Sequence, residues 1–171
     1  MSATIHSFDP LIASDTQVLI LGTMPGVVSL KMREYYAHRQ NAFWKIMGDL
    51  LDARPELPYA ERITKLQSHK IGMWDVMMSC QRIGALDAAI ASESILPNDF
   101  AKLYAGAPAL THVFFNGAKA EETYRRQVLP RLGAEYKHLQ YTRLPSTSPA
   151  HASMSYAQKL EVWRSILLAL E

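Results

Sequence analysis

Apolar and polar positions along the chain fall into two alternating kinds of segment. Gln17–Leu21 is a short apolar run closed by Gly22, and Ile71–Met78 is a second. Thr111–Asn116, with Gly117 as its exit, is a third, and Tyr136–Leu144 is a fourth. Runs of this length with punctuating glycines read as buried strands. Between them apolar residues recur at three and four. Phe43, Ile46, Met47, Leu50 and Leu51 give one helix, starting at Asn41 or Ala42 and ended by Pro55 and Pro58. Tyr59–Ser68 carries Ile63 and Leu66 inward, and Asn98 or Asp99 opens a helix to about Ala105. Ala118–Leu129 is predicted helical, and Ser155–Leu170 is a closing amphipathic helix. Residues 1–16 read as a polar lead-in with a turn at Asp9-Pro10, and Gly84–Ile90 as a loop with a helical turn.

Strands that alternate with helices predict a parallel sheet covered on both faces. The expected architecture is a three-layer α/β/α sandwich with a four-stranded, mainly parallel central sheet. At 171 residues, one domain over 1–171 is expected.

Composition narrows the chemistry. The single cysteine, Cys80, excludes an internal disulfide and any multi-cysteine metal site. No histidine pair has metal-ligand spacing, so no metal and no cofactor are expected. There is no G-x-S-x-G, Walker A or G-x-G-x-x-G motif. The N-terminus lacks a signal pattern, and no apolar run reaches the ~18 residues of a membrane span. A cytoplasmic monomer without membrane segments is the expectation. The net charge of +2 does not announce nucleic-acid binding by itself. The stretch from Phe115 to Ala150 is more basic, with six Lys or Arg against three Glu. Such a stretch suits phosphates or a solvated helix face equally.

The densest chemistry is Tyr35-Tyr36-Ala37-His38-Arg39-Gln40-Asn41-Ala42-Phe43-Trp44. Aromatic rings beside amides suit a pocket for a flat polar ligand such as a nucleobase. Four segments follow strand ends: Gly22–Asn41, Asp75–Arg82, Asn116-Gly117 and Leu144–His151. A parallel sheet brings all four to one edge, where such folds bind ligands.

Read in order, these segments resemble the uracil-DNA glycosylase superfamily. The likeness lies in Gly22-Thr-Met-Pro-Gly26, Tyr36-Ala-His38, Asn41-x-Phe43-Trp44 and Leu144-Pro-Ser-Thr-Ser-Pro149. Met73-Trp-Asp-Val, Cys80-x-Arg82-x-Gly-x-Leu-Asp87 and Phe115-Asn116-Gly117 are similar to its hypoxanthine-DNA (deoxyinosine) glycosylase branch. Arg39 stands where proline is usual. The resemblance implies an enzyme that flips a deaminated nucleotide from DNA and hydrolyses its N-glycosidic bond. Hypoxanthine is the first candidate base. A uracil or mismatch-specific enzyme of the same fold is one alternative, and a non-enzymatic nucleotide- or nucleic-acid-binding module is another.

The match assigns roles residue by residue. Tyr36, which composition alone would put in the core, becomes the stacking ring. Asn41 becomes the catalytic residue. Its amide is a poor general base but can orient a water, and it can also cap the following helix. Gly22 and Thr23 line the base, and Thr23 stands where other branches carry Asp or Asn. Asn116 offers a donor and an acceptor to the base edge. Ser146, Thr147, Ser148 and His151 are the expected DNA contacts, on a loop stiffened by prolines. Asp75 is read as structural, and Arg82 as a partner of Asp87.

Overall fold

A segment with no polar face has to be covered on both sides, and Val18–Gly22 is one. In the computed structural model, which describes residues 3–171, all five of its residues are buried. It is the chain's second strand (β2), after the short Thr4–His6 (β1). Ile71–Asp75 (β3) lies parallel on one side of it. Met77–Gln81 (β4) and Leu96–Pro97 (β5) follow in the chain but belong to another sheet. His112–Asn116 (β6) lies parallel on the other side of β2, and Gln140–Leu144 (β7) lies parallel beyond it. The central sheet therefore runs β3-β2-β6-β7, four strands, all parallel.

Parallel strands need crossovers, and these supply the outer layers. Val27–Met32 (α1), Phe43–Leu51 (α2) and Tyr59–Ser68 (α3) connect β2 to β3. Phe100–Ala105 (α4) precedes β6, Ala118–Thr123 (α5) follows it, and Tyr156–Trp163 (α6) and Ser165–Ala169 (α7) close the chain. Alternate residues of β2 serve alternate layers. Val18 and Ile20 pack with Phe43, Ile46, Met47, Trp163 and Ile166, while Leu19 and Leu21 pack with Phe100, Tyr104 and Tyr124. The expected three-layer sandwich and its four parallel strands are present.

Five sequence readings differ in detail, the simplest being the fourth run, a strand only from Gln140 because Ala134–Tyr136 is a 3₁₀ turn. The apolar run Ile71–Met78 is two strands rather than one. At Val76 the chain crosses the end of β2, with Val76 N donating to Gly22 O and Met77 N to Thr23 O. It then continues as β4, antiparallel to β1 and β5. Both strands are largely buried, so hydrophobicity alone cannot mark the break. The lead-in is partly β1, which the polar pattern of Thr4–His6 did not suggest; Met1 and Ser2 lie outside the described residues. The helix from Ala118 turns into a π turn at Tyr124–Val128 and a 3₁₀ turn at Leu129–Arg131, where Pro130 lacks an N–H to continue it. The closing helix divides at Arg164, where the Ser165 hydroxyl bonds back to Val162 O.

The topology selects one edge. From β2 the chain moves to β3, and from β6 it moves the opposite way to β7, so β2 and β6 flank the switch point of the sheet. Ligands of open α/β sheets bind outside the carboxyl ends of such a pair. Here those ends are Gly22 and Asn116.

Candidate active site

Strand register brings the four segments level. Gly22 is paired with Asp75, and Asn116 with Leu144. Above them lies a cavity of about 520 Å³, a volume typical of small-molecule sites. Gly22, Thr23, Tyr36, Asn41, Asn116, Ser146, Thr147, Ser148 and His151 all line it. The residues singled out from sequence, up to 129 positions apart (151 − 22), thus meet in one place.

The Tyr35–Trp44 stretch is anchored before it reaches the cavity. Tyr35 is buried, its hydroxyl donates to Asp9 O, and its carbonyl accepts from Trp44 Nε1. Tyr36 then adopts φ 56°, a left-handed conformation that non-glycine residues rarely take. Ala37 N donates to the buried Ser29 hydroxyl and holds this bend. Its consequence is the position of the Tyr36 ring. Phe43 stacks on it at 4.0 Å with an interplanar angle of 21°. The hydroxyl reaches the end of β2, where a Cβ on Gly22 would stand 3.0 Å from it and 2.6 Å from Asp75 Oδ1. Only glycine leaves room for both groups there.

Asn41 Oδ1 accepts from Phe43 N at 2.9 Å, so the side chain does brace the start of α2. An amide oxygen has a second lone pair, and the Nδ2 donors are a separate resource. Bracing the helix and facing the cavity are compatible.

Asn116 is more committed than its sequence position suggested. Its Nδ2 donates to the Thr147 hydroxyl and its Oδ1 accepts from Thr147 N, each at 2.9 Å. Thr147 is only 1% exposed, and its carbonyl accepts from Ala42 N. It therefore acts on the loop from within rather than as an outward contact. Ser146 and Ser148 are partly occupied too, accepting from Ser148 N and Ala150 N. Trp163 Nε1 donates to Pro145 O, and the buried Lys159 reaches Ser148 O. Gly117, at φ 96°, lets Ser146 approach so that an added Cβ would stand 3.1 Å away. His151 also lines the cavity, and its Nε2 is buried without a partner among the described residues.

Two acidic residues complete the lining. Asp75, expected to be structural, lines the cavity and is buried. Its Oδ2 finds no hydrogen-bond partner among the described residues. Burial, reinforced by the nearby Asp87, pushes its carboxyl up to about 8, against a smaller opposing pull from Arg82. Burial also raises Asp87, with Thr23 and Arg82 acting the other way. The expected Arg82–Asp87 pair is not among the ion pairs of the described residues. Arg82 instead donates to Pro25 O and Gly84 O, tying the two rims of the cavity together. The signal for Asp75 was its place at a strand end. Only its depth and missing partner, which sequence does not carry, separate it from a structural carboxylate. Tyr36 is raised by burial and by Asp75, and Asn116 works in the opposite direction. Among the described residues no group of three or more His, Cys, Asp or Glu is placed to hold a metal ion, and no helix is long and apolar enough to cross a membrane.

Residues 10–167 match the family model of the uracil DNA glycosylase superfamily. The chain belongs to that superfamily. A protein named hypoxanthine DNA glycosylase from Methanosarcina barkeri is 38% identical over 135 residues, 78% of this chain and 83% of the relative. Another of that name from Methanosarcina acetivorans is 32% identical over 162 residues, 94% and 96% of the two chains. A solution NMR structure of a uracil DNA glycosylase candidate from M. acetivorans superposes with a TM-score of 0.79 at 29% identity, covering 98% of this chain and 99% of that one.

Proposed function

We propose that the protein is a monofunctional DNA glycosylase that removes a deaminated base, hypoxanthine before others, and leaves an abasic site. The observation that carries this reading is the meeting of Tyr36, Asn41 and Asn116 in one cavity at the switch point of the sheet. Two relatives that share the name hypoxanthine DNA glycosylase support the choice of base. In this reading the protein works as a cytoplasmic monomer on DNA.

The chemistry follows from what the side chains can do. A base inside a duplex is out of reach, so the nucleotide has to be extruded. Phe43 covers one face of the Tyr36 ring, and the other face receives the base. The Ser146–His151 loop meets the DNA strand, held in shape by Asn116, Trp163 and Lys159. As the C1′–N bond lengthens, positive charge grows on the sugar and negative charge on the base. Asn41 orients the attacking water through its unspent donor and acceptor capacity. Asn116 holds the base edge with the donor and acceptor capacity that Thr147 leaves free. With Thr23 in the first motif, the Gly22–Gly26 turn has no carboxylate to activate the water.

The test is a panel of otherwise identical duplexes carrying hypoxanthine, uracil, xanthine or a normal base, assayed for free base and for abasic sites. Release of hypoxanthine in preference to the rest is expected. Release of uracil without hypoxanthine, or binding without release, contradicts the reading.

A further inference from the structure

The Gly22–Gly26 turn has no carboxylate to draw a proton from water, so help at the other end of the breaking bond gains weight. A departing purine is a poor anion, and a proton donor at its ring is the standard remedy. Of the two carboxyl groups that line the cavity, Asp75 is the more deeply buried. Asp75 ends β3 directly beside Gly22, buried at the cavity floor. Its Oδ1 and the Tyr36 hydroxyl crowd the same point over Gly22. Its Oδ2 has no partner among the described residues. An unpaired charge at that depth is expensive, so the carboxyl is held neutral and has a proton to give.

We propose that Asp75 is a further catalytic residue, whose neutral carboxyl donates its proton to the departing base as the C1′–N bond breaks. This rests on the glycosylase reading above. The balance is simple. The proton passes from Asp75 to a ring nitrogen or oxo group of the base, and the bonding electrons of C1′–N leave with the base. Water adds to C1′, and the proton it sheds restores the carboxyl. Nothing besides DNA and water is consumed.

The groups facing Asp75 agree with this role. Tyr35 and Tyr36, from the site stretch, are both raised, first by burial and then by Asp75, and stay neutral, so neither competes as an anion. Asp87, from the turn after β4, disfavours ionisation of Asp75. Arg82, just after β4, favours it; its Nε and Nη2 donate to backbone carbonyls, and its buried Nη1 has no partner among the described residues. The resulting value of about 8 keeps the carboxyl protonated at neutral pH yet near enough to give the proton up.

The experiment is single-turnover release of hypoxanthine from pH 6 to 9.5 by the wild type and by Asp75→Asn, an isostere that donates hydrogen bonds but not a proton. Wild-type rates should fall with loss of one proton near pH 8. Asp75→Asn should be slower on the order of 100-fold at pH 7, with a flat alkaline limb. Its affinity for abasic-site DNA should stay within about threefold of wild type, which a misfolded variant could not show. In parallel, isotope-edited infrared spectra of the wild type should show an Asp75 carboxyl protonated at pH 6 and ionised at pH 9.5. A carboxyl already ionised at pH 6 overturns the proposal without any variant. A variant with the wild-type rate, or with the wild-type alkaline limb, overturns it as well. Absence of any base release by the wild type removes the glycosylase reading and this inference together. Normal wild-type release beside an unaffected variant removes this inference alone.

Discussion

At the scale of single residues, the cavity depends on side chains that each do two jobs. Asn41 braces α2 through Phe43 N and faces the cavity with the rest of its amide. Asn41→Ala should therefore slow single-turnover base release by roughly 100-fold. It should also cost about 1 kcal/mol in chemical denaturation, the usual loss at a helix start. Asn41→Asp keeps the oxygen that braces the helix, so its stability should be closer to wild type while its release rate stays low. A variant lacking the amide that cleaves at the wild-type rate would remove Asn41 from the chemistry. Gly22 shows the opposite economy, because its value is the space it leaves. In Gly22→Ala the new Cβ meets Asp75 Oδ1 at 2.6 Å and the Tyr36 hydroxyl at 3.0 Å. Thermal melts should show a loss of roughly 1–3 kcal/mol from overpacking. Base release should fall with it, because both displaced groups line the cavity.

At the scale of elements, the decisive contact joins the end of β6 to the loop after β7. Asn116 and Thr147 exchange two hydrogen bonds in a buried setting, and the Thr147 carbonyl accepts a third from Ala42 N ahead of α2. Thr147→Val keeps the shape but leaves the Asn116 amide a partner short, at a cost of about 1–3 kcal/mol. Affinity for abasic-site DNA should weaken, while the rate at saturating DNA changes less. An equal fall in both would place Thr147 in the chemistry instead. Sequence showed where these elements lie but not how they hold each other. The glycine-closed run at Val18–Gly22 and the periodic apolar face of α2 were legible because hydrophobic spacing is local information. The break at Val76 was not, since β3 and β4 are both largely buried and read as one run. Thr147 looked like an exposed loop residue for a similar reason. Its burial comes from Asn116, 31 positions earlier, and no local pattern records that.

At the scale of the whole molecule, the parallel sheet gathers distant segments and leaves a costly group among them. Asp75 has an ordinary carboxyl pKa when unfolded and one raised to about 8 when folded. The unfolded chain thus releases this proton first. Its contribution to stability is full below about pH 4 and declines as pH rises toward 8, above which the penalty is constant. Asp75→Asn should match the wild type near pH 4 and exceed it at pH 8 by an amount on the order of 2–5 kcal/mol, read from denaturant midpoints at the two pH values. A gap that does not change with pH would mean that the carboxyl is not held neutral by the fold. The order of the four strand-end segments was legible because topology carries them to one edge whatever lies between. The depth of Asp75 was not, because burial is a property of the assembled layers.

Catalysis at this cavity depends on where an extruded base sits. A crystal structure of the protein with a duplex containing 2′-fluorinated deoxyinosine, which resists cleavage, addresses that directly. Hypoxanthine is expected against the face of Tyr36 opposite Phe43, with Asn41 beside C1′, Asp75 within hydrogen-bonding distance of the base, and the Ser146–His151 loop on the strand. An undisturbed duplex on another face of the protein, or a flipped base outside this cavity, would contradict this arrangement.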